Sequence, residues 1–91
     1  MNLALRYYMA TEIVAEIRDE IDRSEEQSGP LHSLHEGLAA LREDYKELED
    51  AIFRSVQTGD NTKDVRAKAI QVAAVATRIA MAVSPVPNSI Y

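Results

Sequence analysis

Asp44 and Glu47, three residues apart in the run REDYKELED (42–50), have the types and spacing to do chemistry. On a helix this spacing sets two side chains on adjacent turns of one face. At about 100° per residue they share a flank with Gly37, Ala40 and Ala51, and small neighbours leave room for a ligand. Magnesium takes oxygen ligands, usually one or two carboxylates with water and substrate phosphates. Two carboxylates from one helix facing two from another make an acidic well. Such a well holds metal around a triphosphate and generates a nucleophilic water. The same spacing also occurs on plain solvated helix faces, and Arg42 and Lys46 could screen the pair. Glu43 lies further round the helix, and Glu49 and Asp50 further still toward solvent.

Other chemistries have little to work with. The chain has no cysteine, which removes disulfides, thiolate zinc sites and a cysteine nucleophile. His32 and His35 alone do not complete a structural zinc site. There is no phosphate-cradling glycine loop and no nucleophile elbow. A net charge of −5 with four Tyr and one Phe gives no footprint for nucleic acid and no stacking platform. A magnesium-bound nucleotide stays compatible, because the metal reverses the local field. No apolar run approaches the ~20 residues needed to cross a bilayer, and MNLALRYYMATEI lacks a signal-peptide cleavage pattern. The expected setting is cytoplasmic, without a membrane partner.

The elements that must position the carboxylates follow from punctuation. SGP at 28–30 and TGDN at 58–61 are the strong internal breakers, and SPVPN closes the chain. Three long segments of helical period lie between them, which predicts an all-α protein of three main helices. The first is expected from Leu3 to Glu26, with Ala10, Ile13, Val14, Ile17 and Ile21 as its apolar stripe. Glu12, Glu16, Asp19, Glu20 and Arg23 make a solvated face opposite.

In the second helix Leu31, Leu34, Leu38, Leu41, Tyr45, Leu48 and Ile52 alternate spacings of three and four, the pattern of a packed seam. SLHE (33–36) fits a capping box that starts the helix near Leu34; it should end near Gln57. Glu36 is thus a capping residue, His35 is partly exposed, and Tyr45 belongs to the core with its hydroxyl at the edge. The third helix, capped by Asn61 or Thr62, has Val65, Ala69, Val72, Ala76, Ile79 and Val83 as its stripe. Ile70, Ala73, Val75 and Ala80 lie outside that stripe, and Pro85 ends the helix. Residues 1–84 are expected to form a single domain. The tail, residues 85–91, either docks through Ile90 and Tyr91 or frays. Three helices make a thin bundle, so a second subunit is expected to complete a four-helix-like core.

LHSLHEGLAALREDYKELEDAI, then a loop, then VRAKAIQVAAVATRIA, resembles the all-α nucleoside triphosphate pyrophosphohydrolases of the MazG-like superfamily, nearest to short phage and prophage members. These show a histidine–glutamate–glycine opening, an acidic EExxE run and a helix reading like ELIQVAAMALR. The leading IVAEIRDEIDRSEEQSG is similar to their first helix. The resemblance covers about residues 13–81 and rests on short motifs of common helical residues.

It implies a magnesium- or manganese-dependent release of pyrophosphate from a nucleoside triphosphate. In the family, metal is held by an ExxE pair on one helix and an ExxD pair on the next. Asp44 and Glu47 match the first pair, with Glu43 before them as in EExxE. The second pair falls on Lys68 and Gln71. Glutamine still offers an oxygen; a protonated lysine has no lone pair.

Glu43 and Lys68 are the candidate catalytic residues, Asp44 and Glu47 the metal ligands, and Gln71 and Arg78 the substrate-binding pair. Arg78 is the better phosphate ligand because its fork matches phosphate oxygens. Three roles for Lys68 stay open: pairing with Asp44, Glu47 or Glu43 in place of a metal, contacting a substrate phosphate, or reaching out to solvent. The expected partners are a second copy, as homodimer or tetramer, and a nucleoside triphosphate if the site is active. The other function considered is a helical oligomerisation or partner-binding module without catalysis.

Overall fold

A computed structural model describes residues 2–85. The expected role of residues 86–91, including docking through Ile90 and Tyr91, lies outside them. The chain folds into α1 (Leu3–Ser28), α2 (Leu34–Thr58) and α3 (Thr62–Ala82), and the described residues contain no strand.

Each helix boundary has a local cause. Asn2 caps α1, its side chain accepting from the Leu5 amide at 2.8 Å. Gly29 ends it, its amide donating to the Glu25 carbonyl. At α2 the Ser33 hydroxyl accepts from the Glu36 amide at 3.1 Å, and the Glu36 carboxylate accepts from the amide of His32 at 3.0 Å. The capping box therefore forms, with Glu36 reaching one residue past the cap. Gly59 closes α2 in the left-handed conformation (φ 71°), which a residue with a Cβ adopts at a cost. Asn61 is the N-cap of α3, but it too is left-handed (φ 71°) and its side chain makes no cap bond. The capping role expected of Asn61 is not played by its side chain.

α3 is the central element. α1 and α2 each pack on it, and their backbones do not approach one another. Pairing partners set the directions. Arg66 meets Glu16 and Arg78 meets Gly29, so α1 runs parallel to α3. Arg54 meets Asp64 and Lys68 meets Glu47, so α2 runs antiparallel. The molecule measures 43 × 31 × 19 Å, a three-helix bundle in which only α3 touches both of the others.

The core is correspondingly thin. Its buried apolar residues are Ile21, Leu31, Ala51, Ala74 and Val75, and no large side chain is fully enclosed. Packing is tight at Gly37, where an added Cβ would lie 2.8 Å from Ile79 Cγ1 and 3.3 Å from Leu31 Cδ1.

Several expected core positions are corrected. Leu34, Leu38, Tyr45 and Ile52 of the α2 seam are exposed, Tyr45 by 57%, while Leu41 and Leu48 are half-buried. Ala10 and Val14 of α1 are exposed, as are Ala69, Ala76 and Val83 of α3. Val75, set outside the α3 stripe, is buried instead. Periodicity finds an apolar stripe but not the neighbour that covers it, and α1 and α2 each have only α3 as a neighbour.

Candidate functional site

α1 and α2 wall a trough whose floor is α3. Asp44 and Glu47 stand on the α2 wall. The small residues on their flank, Gly37 and Ala51, let α2 approach α3 closely and are themselves buried. The space they leave is filled by α3 rather than kept for a ligand. Lys68 rises from the floor, its Nζ 3.8 Å from Glu47 Oε2, with the lysine side chain only 25% exposed.

Burial, then the charges of Glu47, Glu43 and Glu20, push the Asp44 carboxyl above its ordinary range; Lys68 opposes them. Lys46, a possible screen for the pair, instead bonds Asp50 at 3.2 Å, away from it.

The α1 wall brings residues the sequence assigned to plain solvent. Glu20 acts on Asp44 electrostatically, and Arg23 lies within the field of the same carboxylate. Arg23 also holds Glu20, donating from Nε at 2.9 Å, and keeps the Glu20 carboxyl below its usual range. One turn earlier Glu16 takes a forked bond from Arg66, at 2.7 and 2.5 Å, which lowers its pKa likewise. Nothing in the spacing could have paired residues fifty positions apart. These groups line a groove of about 460 Å³ between α1 and α3, with Gln71 and Lys63 on its edge.

Gln71 and Arg78 part company. Gln71 faces the α1–α3 groove. Arg78 is 9% exposed, sunk beneath the α1–α2 connection, and donates from Nη2 to the Gly29 carbonyl at 3.0 Å. A guanidinium at the end of α1 meets the negative end of that helix's dipole. Its Nε has no hydrogen-bond partner among the described residues. Glu43 is exposed, and its charge acts on Asp44.

Among the described residues no group of three or more His, Asp or Glu is arranged to hold a metal ion. The donor set here is two carboxylates and a cation, which does not fit the four-carboxylate well that the resemblance implies. No helix is long and apolar enough to cross a membrane among the described residues. No family model, curated protein or solved structure matches the chain.

Proposed function

We propose that this chain is a self-associating, MazG-like helical module in which Lys68 takes the place of a metal ion at the Asp44–Glu47 pair. The supporting observation is the 3.8 Å approach of the Lys68 ammonium to Glu47 from the helix opposite. A half-buried cation there relieves the repulsion among Glu20, Glu43, Asp44 and Glu47. That is the electrostatic task a divalent ion performs in an acidic well. The exposed α2 seam supports the second part of the reading, because a bundle with so small a core gains stability by pairing.

A hydrolytic reading has one observation in its favour. Asp44 is held above its ordinary pKa by burial and then by the charges of Glu47, Glu43 and Glu20, so a cation bound beside it would be favoured. In that case Asp44 and Glu47 would hold one magnesium ion, which supplies charge neutralisation and a water of lowered pKa. Lys68 would then turn toward a triphosphate.

Pyrophosphate release from a panel of nucleoside triphosphates, with magnesium or manganese, separates the two. The module reading expects no turnover from the native chain. Turnover by the native chain overturns it. Activity gained only in Lys68→Glu would identify a hydrolase scaffold silenced by that one residue.

A further inference from the structure

Six apolar positions of α2 form an unbroken heptad pattern from Leu34 to Ile52, and Val56 extends it by one turn, yet the chain itself covers only one edge of it. Taking about 100° per residue, Leu34, Leu38, Leu41, Tyr45, Leu48, Ile52 and Val56 fall within an arc of about 80°. The stripe runs for about 33 Å along the helix. Leu41 and Leu48 border α3; Leu34, Leu38, Tyr45, Ile52 and Val56 are exposed by 38, 41, 57, 42 and 77%. No charge interrupts the stripe.

The side on which it lies is fixed by the ion pairs. Arg54–Asp64 and Lys68–Glu47 occupy the trough side of the α2–α3 contact. The α2 stripe is roughly opposite, together with Ala69 and Ala76 of α3, which are exposed. Heptad spacing is the pattern that packs knobs into the holes of another helix, and small residues beside it let that helix come close.

We propose that this stripe is the seat of a second copy of the chain, α2 against α2, antiparallel about a two-fold axis near Lys46–Glu47. The flanking charges select the direction. Arg42 and Glu49 stand seven residues apart on the solvent side of the stripe, and neither has an ion-pair partner among the described residues. Antiparallel pairing with Tyr45 against Leu48 of the second copy sets Arg42 on the opposing Glu49, twice by symmetry. Parallel pairing sets Glu49 toward Asp44 of the second copy, a meeting of like charges. The antiparallel arrangement buries Tyr45 at its centre and leaves both troughs facing outward. This inference rests on the self-association proposed above and is independent of hydrolysis.

The cysteine-free chain makes the test direct. Sedimentation of the native chain should give about twice the 10.1 kDa monomer mass. Arg42→Cys mixed with Glu49→Cys should form a disulfide between the two variants, and Leu38→Cys alone should not. Self-crosslinking of Leu38→Cys would mean parallel pairing and overturn the orientation while sparing self-association. A helical monomer at about 100 μM would overturn both, that concentration being well above the dissociation constants of ordinary specific interfaces. Arg42→Glu should weaken association about tenfold, and Arg42→Glu with Glu49→Arg should restore it. Failure of the double swap to recover affinity would also overturn the register. Ile52→Glu, at a position exposed in the single chain, should give a monomer with its helix content retained; an Ile52→Glu dimer as tight as the native one would overturn the interface.

Discussion

The Arg78 guanidinium, on the last turns of α3, donates to the carbonyl of Gly29 at 3.0 Å and so ties the end of α1 to the central helix. The residue is buried, its Nε is unbonded, and no carboxylate forms an ion pair with it among the described residues. A cation in that position stabilises through one charge-assisted bond and the packing of its stem, and loses stability through desolvation.

Two substitutions separate these contributions. Arg78→Ala should cost about 2–4 kcal/mol, since it leaves both a cavity and an orphaned carbonyl. Arg78→Met keeps the volume and removes the unsatisfied donor, so its cost should stay below about 1.5 kcal/mol. Urea denaturation of both variants gives the comparison. Equal, large losses would show that the bond to Gly29, rather than packing, holds the end of α1.

Asp44 carries a pH dependence of unusual sign for a carboxylate. Its folded pKa is raised, so the folded state holds this proton more tightly than the unfolded chain does. Its contribution is most favourable below the unfolded value of about 3.9 and is lost as pH rises through the raised folded value. Glu20, lowered by Arg23, acts in the opposite sense: its contribution is present above the unfolded value and is lost as pH falls through the folded one. Asp44→Asn should therefore raise Tm at neutral pH, by less than about 1 kcal/mol in stability after solvent screening. That advantage should shrink toward zero as the pH is lowered past the native Asp44 titration. Thermal melts from pH about 3 to 8, spanning the carboxylate range, would show it. A constant difference across the range would mean that charge at Asp44 is not the cause.

Gly37 sits mid-face in α2, where alanine is ordinarily better by about 1 kcal/mol. Here the added Cβ would meet the stiff, β-branched Ile79 at 2.8 Å. Overpacking of this kind costs about 1–3 kcal/mol, so Gly37→Ala should lower Tm despite its better propensity. Gly37→Ala combined with Ile79→Ala should recover part of the propensity gain relative to Ile79→Ala alone. A higher Tm for the single variant would show that α2 and α3 can separate slightly without loss.

Ser33 and Glu36 cap α2 from both directions. Ser33→Ala should cost about 1 kcal/mol and Ser33→Asp almost nothing, because aspartate also accepts from the Glu36 amide. Circular dichroism during a thermal melt would record the difference. A neutral alanine variant would mean that the buried Leu31, not the cap, fixes where α2 begins.

The sequence by itself determined the three helices, their breaks at 28–30 and 58–61, the capping box, and the Asp44–Glu47 face. All of these depend on residues within one or two turns of each other, where backbone chemistry and helical period act. It did not determine which stripe would be covered. The α2 seam and the α3 stripe read as core, yet Leu34, Leu38, Tyr45 and Ile52 of the first and Ala69, Ala76 and Val83 of the second face outward, while Ala74, Val75 and Arg78 are buried. Nor could spacing place Glu20 and Arg23 of α1 beside Asp44, or draw Arg78 out of the groove and under Gly29. Those outcomes depend on α3 lying between two helices that do not touch, a choice made by close approach at Gly37 and Ala51 and by ion pairs between distant turns. Local period fixes a helix and its apolar side; only the tertiary arrangement decides what that side meets.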